Sequence, residues 1–213
     1  MSRFWRLVWL FTLASMAGFL LESGESLFSL GYVQNRQGLL YGPFTPVYGA
    51  GAVVLALLWP VLKDKPRPVA FACAALVGAG VEYLWSWTQE LLFGVTFWDY
   101  HHFRFHLDGR INLPFTLFWG ALGLAFWVWF YPRFRSFWAR LPRSGTAIVG
   151  LALALLLVGD GMWSAAALVR QSQRQADLPA FSPLTAYLDE VWSDEVLADR
   201  FPSMRIVEKR QTD

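Results

Sequence analysis

Long apolar runs separated by short polar segments dominate the chain from its start to Val169. A helix needs about 20 mainly apolar residues to cross the hydrocarbon core of a bilayer, and five runs meet that length closely enough to predict spans. The predicted spans are residues 7–30, 44–62, 69–93, 113–131 and 146–169. The first run also resembles a signal peptide, since Arg3 and Arg6 precede it. The acidic residues that follow it match others deeper in the chain and favour a span.

Composition also divides the chain near Val169. Charged residues make up 16% of the sequence, against about 25% in soluble domains, and they are concentrated after Val169. We therefore expect an all-α integral membrane protein, with a five-span membrane domain over residues 1–169 and an extracytoplasmic polar tail over residues 170–213. The net charge of +2 is too small to indicate a nucleic-acid partner.

The orientation follows from the bias of Lys and Arg toward cytoplasmic loops. Nine such residues flank the spans on the side of the N-terminus, and five lie on the other side. The pattern predicts a multi-pass cell-membrane protein with a cytoplasmic N-terminus and an outer C-terminus. Short inner loops are predicted over residues 63–68 and 132–145, the second of them basic.

An internal repeat emerges when the sequence is shifted so that Gly38 falls on Gly109. Pro43-Phe44-Thr45 then aligns with Pro114-Phe115-Thr116, and Tyr48-Gly49-Ala50 aligns with Trp119-Gly120-Ala121. Each half consists of a helix, an outer loop with an arginine, and a returning helix. The first four spans are therefore predicted to form a parallel two-helix repeat about an axis along the membrane normal.

Ionisable residues inside the apolar runs are the main functional candidates, because such groups are costly in hydrocarbon. Glu22, Glu82 and Asp160 each lie about 20–22 Å along their helices at 1.5 Å per residue, so we expect them at one level. Arg36 and Arg110 in the outer loops are the expected counter-charges, with Glu82 and Arg110 at the centre. The arrangement is either a set of buried ion pairs or an outward-opening site for a headgroup or an ion.

The third run carries a stripe of mostly small and polar residues at spacings of four, which places them on one helix face. The stripe consists of Ala70, Ala74, Gly78, Glu82, Ser86 and Glu90. Small residues allow helices to approach closely in a membrane. We therefore expect Glu82 to face the other helices rather than lipid.

Metal and nucleotide chemistry have little support in the sequence. His102 and His106 have the spacing of two ligands on a helical turn, with Asp99 nearby, but no Cys accompanies them. No Gly-x-x-x-x-Gly-Lys-Ser/Thr loop is present, so ATP hydrolysis by that route is excluded. We expect no metal and no cofactor.

The tail contains an apolar stripe at helical spacing opposed by acidic residues, which predicts an amphipathic helix. The stripe consists of Leu184, Tyr187, Leu188, Val191, Trp192 and Leu197. We expect this helix to pack on the protein's own outer loops; docking of a partner and disorder are the alternatives.

Two motifs resemble those of the Putative ABC-transporter type IV family over about residues 5–131. The first is Gly38-Leu39-Leu40-Tyr41-Gly42-Pro43-Phe44, followed by Pro46 and Tyr48-Gly49; the second is Trp98-Asp99-Tyr100, followed by Gly109-Arg110-Ile111 and Trp119-Gly120. The chain departs from the family in having His106 where Asn is usual and Asn112 where Cys is common. The candidate ligand-binding or ion-pair residues are Glu22, Arg36, Tyr41, Tyr48, Glu82, Glu90, Trp98, Asp99, Tyr100, Arg110 and Asn112.

The resemblance implies a permease-like transport component in the lipid bilayer, served by a separate ATPase or another membrane subunit. Two other functions stay open at this stage. A carboxylate beneath an arginine could perform acid–base chemistry on a lipid or a phosphorylated headgroup. The chain could also be a structural or sensory subunit of a membrane complex.

Overall fold

A computed structural model describes residues 2–207 and shows a helical bundle with a small cap at one end. The long helices of the bundle are α1 (Arg3–Leu30), α2 (Pro46–Leu62), α3 (Arg67–Phe93), α4 (Leu113–Ala125), α5 (Tyr131–Arg140) and α6 (Arg143–Gln175). Two short helices follow, α7 (Pro183–Val191) and α8 (Asp194–Arg200). The bounds of α1, α2 and α3 lie close to those of the first three apolar runs, whereas the helical segments that begin at Leu113 and Arg143 continue beyond the predicted ends of the last two runs.

Local sequence signals set the helix ends. The Ser2 side chain accepts a hydrogen bond from the backbone N–H of Trp5 and caps the start of α1. Gly31 and Gly94 follow α1 and α3 with φ of 80° and 67°. Only glycine adopts this left-handed conformation at little cost, so these residues end the two helices cleanly.

Helices α4 and α5 form one continuous helical segment, because a π-helical turn at Phe126–Phe130 joins them. Pro132 lies in the first turn of α5 and has no N–H to donate, so the regular α-helical bonding pattern cannot run unchanged through this point. The expectation of a basic inner loop over residues 132–145 is therefore wrong. The helix reaches Arg140, and only a short break precedes α6.

Within residues 2–207, four helical segments are long and apolar enough to cross a membrane: Arg3–Leu30, Arg67–Phe93, Leu113–Arg140 and Ser144–Gln175. Helix α2 is apolar too but has only 17 residues. Large apolar side chains cover the outside of the bundle, where Leu76 is 73% and Ile148 69% exposed. A lipid environment accounts for such a surface, which a soluble protein rarely presents.

Small residues bring neighbouring helices into contact. α1 packs along α2, and α3 packs along α4. The Cα of Gly49 lies against Ser15 of α1, and the Cα of Gly123 lies against Ala74 of α3. Ala70, Ala74, Glu82 and Ser86 are buried, which confirms the prediction that the stripe on α3 faces the bundle.

The cap comprises residues 31–45, 94–112 and 176–207 and covers one end of the bundle. Its strands are β1 (Val95–Thr96), β2 (His106–Leu107), β3 (Ile111–Asn112) and β4 (Arg205–Ile206), with β1 paired to β4 and β2 paired to β3. Leu188, Trp192, Leu197 and Phe201 pack with Leu40 of the first loop in one buried cluster. The tail therefore lies on the protein's own loops, as its apolar stripe predicted, in two short helices instead of one.

Candidate functional site

Glu82 lies on the buried face of α3, where two aromatic donors bind its carboxylate. The Tyr100 hydroxyl donates to Oε1 at 2.9 Å, and the Trp119 indole N–H donates to Oε2 at 3.0 Å. The side chain is only 5% exposed. Burial and the neighbouring Glu82 carboxylate raise the pKa of Tyr100, so its hydroxyl stays a hydrogen-bond donor.

Glu22 on α1 occupies a similar setting. The Tyr48 hydroxyl of α2 is its hydrogen-bonding partner. Arg36 lies close enough to interact electrostatically with Glu22, as does Glu82. The Arg36 guanidinium itself donates to Ser203 Oγ at 2.6 Å, and its buried Nε has no partner within residues 2–207. Arg36 is therefore held near the acids without forming an ion pair with Glu22.

Both acids follow a glycine by one helical turn, and an aromatic residue of the next helix covers that glycine. The Cα of Gly18 lies against the Tyr48 ring, and that of Gly78 lies against Trp119. The centroids of the Tyr48 and Trp119 rings are 5.2 Å apart, and Tyr100 stacks on Phe115 at 5.1 Å. The two carboxylates thus share a setting of aromatic rings between the two helix pairs.

Arg110 does not pair with Glu82, contrary to the expectation that these two residues form the centre of the site. Its Nη2 lies 2.6 Å from Oε2 of Glu90, and its Nη1 donates to Ser86 at 3.2 Å. Glu90 is two helical turns beyond Glu82 on the same face of α3. The Arg110 side chain therefore reaches the nearer acid and fixes the second loop to the end of α3.

Asp160 and Tyr41 lie together, apart from the two glutamates. Asp160 Oδ1 accepts from the Tyr41 backbone N–H and from Ser164 Oγ, both at 3.2 Å. The two residues line an apolar surface groove of about 640 Å³. Asp160 therefore does not share the aromatic setting of Glu22 and Glu82, because its carboxylate holds the backbone of the first loop.

Three other candidates make contacts that order the second loop. The Trp98 indole N–H donates to the Arg110 carbonyl at 2.9 Å. Asn112 caps α4 by accepting from the Phe115 N–H at 2.8 Å. The His101 backbone N–H, followed by its ring and Arg205, lowers the pKa of Asp99. These contacts give the three side chains a role in ordering the loop, and the buried Nδ2 of Asn112 has no partner among the described residues.

The histidine spacing that suggested two metal ligands depends on a helix that does not form. His106 lies in β2, and His102 lies in the turn before it. The ring near His106 is that of His101, with centroids 5.0 Å apart. Within residues 2–207, no group of three or more His, Cys, Asp or Glu side chains is arranged to hold a metal ion.

Trp119 donates to Glu82, although it was not among the candidate residues that the sequence indicated. It aligned with Tyr48 in the internal repeat, and in the structure both side chains reach an acid of the preceding helix. A search for polar atoms at corresponding positions of the two halves would therefore have found it.

Comparison with known families identifies a family to which the chain is similar. A search of curated proteins and of solved structures found no significant match. The family described as Putative ABC-transporter type IV matches residues 9–165. The match extends beyond Tyr131, where the resemblance seen in the sequence ends, and includes much of α6. The family match and the long apolar helices are both consistent with a membrane protein related to transport. The chain belongs to the Putative ABC-transporter type IV family.

Proposed function

We propose that this chain is a permease-like component of a membrane transporter and that Glu22 and Glu82 form its binding site for a cationic group. The proposal includes five spans with a cytoplasmic N-terminus. Helix α2 is about 26 Å long at 1.5 Å per residue, slightly less than the roughly 30 Å core of a bilayer. The cap would then lie on the outer face, close to the two acids.

The related settings of the two acids support an internal repeat as part of this proposal. Gly18, Glu22 and Ser26 of α1 correspond in order and spacing to Gly78, Glu82 and Ser86 of α3. Tyr48 of α2 corresponds in the same way to Trp119 of α4. The segment between the acid and its aromatic partner is longer in the second half, which accommodates the β2–β3 hairpin.

The observation that carries the cationic site is the lack of a basic partner for either acid. Among the side chains that the structure describes, no Lys, Arg or His nitrogen lies within 4.0 Å of the Glu22 or the Glu82 carboxylate. Acidic groups within spans generally pair with one another or with a cation, and unpaired ones mark ion or substrate paths. A bound cation would supply the charge that Arg36 and Arg110 do not.

The surrounding rings favour an organic cation. The Tyr48, Tyr100 and Trp119 rings lie around the two acids, and rings attract an ammonium group through their negative faces. Each of these residues also donates a hydrogen bond to a glutamate and so fixes the carboxylates in place. A carboxylate pair within an aromatic enclosure is suited to an ammonium group on an apolar body.

A thermal-shift screen of the purified full-length protein tests the site. The probes are tetramethylammonium, choline, butylammonium and sodium as the inorganic control. We expect at least one organic cation to raise the melting temperature, and the E22Q/E82Q variant to lose that increase. Glutamine keeps one oxygen that accepts a hydrogen bond and an amide group that can donate to a tyrosine hydroxyl, but it removes the charge.

The matched control is E25Q, which removes an exposed charge from the same helix near Glu22. It should retain the stabilisation by cations. An equal shift in the wild type and in E22Q/E82Q, or no shift with any organic cation, would contradict the proposed site.

The permease role requires a partner ATPase, and α5 offers a surface for one. Arg133, Phe137 and Arg140 are exposed on this helix, while Phe134 and Trp138 are buried against the bundle. Gentle extraction from the native membrane followed by native mass spectrometry should detect an ATPase subunit. R133E/R140E should weaken that association, and a stable partner without ATPase activity would instead favour a structural role.

A further inference from the structure

A small basic pocket lies at the end of the bundle opposite the cap. Arg3 and Arg6 at the start of α1 and Arg135 of α5 line it, together with Trp59 near the end of α2 and Tyr131. The pocket encloses about 210 Å³. Two segments that are far apart in the sequence thus bring three guanidinium groups to one place.

Among the described residues, the three arginines have no acidic partners. In the described part of the chain, no carboxylate lines the pocket, and none forms an ion pair with Arg3, Arg6 or Arg135. Arg135 lies over the Trp59 ring, with its guanidinium carbon 4.6 Å from the ring centroid. Like charges repel when they converge, so an anion in the pocket would stabilise this arrangement.

The position of the pocket along the helices points to the headgroup layer of a membrane. Arg3 and Arg6 immediately precede the first apolar run, and Arg135 follows the apolar end of α4 and the π-helical turn. Trp and Tyr are the residues that favour this layer. Exposed apolar side chains occur on the same helix ends, with Val61 66% and Phe130 46% exposed. A lipid could place its phosphate among the arginines and its acyl chains along these residues.

We propose that this pocket binds the phosphate headgroup of an anionic phospholipid. Basic pockets between transmembrane helices are a recurrent site for such headgroups. Arginine donates paired N–H groups to phosphate oxygens and thereby binds them with defined geometry. The bound lipid would connect α1, α2 and α5 at this end of the bundle.

The test measures the stabilisation of the purified full-length protein by added lipid. Phosphatidylglycerol and phosphatidylcholine are compared in the same detergent, for the wild type and for R6Q/R135Q. The control variant R133Q/R140Q removes two positive charges near the same end of the molecule, both exposed and outside the pocket. We expect phosphatidylglycerol to stabilise the wild type and the control, and its apparent affinity to fall about tenfold or more in R6Q/R135Q.

Two further arms decide the source of the phosphate. Glycerol 1-phosphate and inorganic phosphate at millimolar concentration should give little stabilisation compared with phosphatidylglycerol. Full stabilisation by either soluble anion would overturn the lipid assignment in favour of a soluble phosphate compound. Equal losses of affinity for phosphatidylglycerol in R6Q/R135Q and R133Q/R140Q would overturn the assignment of the lipid to this pocket, since diffuse surface charge would then explain the binding. Failure of cation binding at Glu22 and Glu82 would leave these outcomes unchanged, because the two sites are at opposite ends.

Discussion

Two acids of the cap, Asp189 and Asp194, and two acids of the bundle, Glu22 and Glu82, are arranged in opposite ways. In the cap, Asp189 accepts two bonds from Arg170, both at 2.8 Å, and one from Arg174 at 2.6 Å. Asp194 accepts two bonds from Arg174. In the bundle, Glu22 and Glu82 are bonded by neutral aromatic donors and have no direct ion pair among residues 2–207.

This difference separates structural acids from candidate functional acids. A buried arginine matched by carboxylates on another element ties the two elements together, and Arg170 is only 3% exposed. A carboxylate in apolar surroundings without a matching cation does not join two elements in this way, so its presence must have another role. Substitutions in the cap should therefore affect stability, whereas conservative substitutions at Glu22 and Glu82 should affect binding.

The largest effect is expected from D189A. The substitution removes the carboxylate partner of the buried Arg170 guanidinium and leaves, among the described residues, only its hydrogen bonds to Gln173 and the Pro179 carbonyl. The loss of one member of a buried pair typically costs about 3–5 kcal/mol. Thermal and denaturant unfolding of the purified protein measure the change. D199A removes an exposed acid of α8 and should change stability by less than about 0.5 kcal/mol. Similar losses in both variants would show that the ion-pair network contributes little.

The second-largest loss of stability is expected from G78A and G18A. A Cβ at Gly78 would overlap Trp119, and one at Gly18 would overlap the Tyr48 ring. Overpacking of this kind costs about 1–3 kcal/mol. G80A is the control, because nothing lies within 4 Å of the position of its Cβ. Unfolding measurements should therefore show matched losses in G18A and G78A; a large difference between them would contradict the correspondence of the two helix pairs.

A moderate effect is expected when the pH is lowered. Hydrogen bonds from Arg170 and Arg174 lower the pKa of Asp189 to about 2, below the value of about 3.9 expected in an unfolded chain. Its contribution to stability is therefore present above about pH 4 and is lost as the pH falls toward 2. Pepsin cleavage within residues 176–207 should increase between pH 4 and pH 2. Cleavage that stays constant over this interval would contradict the role of Asp189 in holding the cap.

The smallest effect on stability is expected from E82Q. The glutamine oxygen can accept from Trp119, and its amide can donate to the Tyr100 hydroxyl, so both contacts survive. We expect a change of less than about 1 kcal/mol in the free energy of unfolding, together with loss of stabilisation by cations. Circular dichroism and thermal unfolding monitor the fold. A stability loss as large as that of D189A would place Glu82 with the structural acids.

The fold was predictable where the sequence pattern depends on local rules. The apolar runs gave the starts of the five long helical segments within a few residues, and the spacing of four on α3 gave the buried face of Glu82. The segment after Pro132 was mistaken for a loop, because the charges of α5 resemble those of a loop. Phe134 and Trp138 make that segment an amphipathic helix packed on α1.

The partners of the charged residues were less predictable. Helical depth placed Glu22, Glu82 and Asp160 at one level, but depth along an axis does not specify the direction of a side chain around it. The pairing of Arg110 with Glu90 depends on the path of the second loop, which turns at Gly109 with φ of 64°. Such a path arises from the hairpin and the tail together, and neither is visible in the apolar pattern.

The last strand determines when the cap can be completed during synthesis. β4 pairs with β1, the Val207 N–H donates to the Gly94 carbonyl at 2.9 Å, and Asn35 donates to the Arg200 carbonyl at 3.2 Å. These contacts join residues that leave the ribosome up to 165 positions apart. Neither loop can therefore complete these contacts until the residues through Val207 have been synthesised and lie at the same end of the bundle. Long-range pairing of this kind forms late, so an interrupted chain would have its helices in place but its cap unfinished.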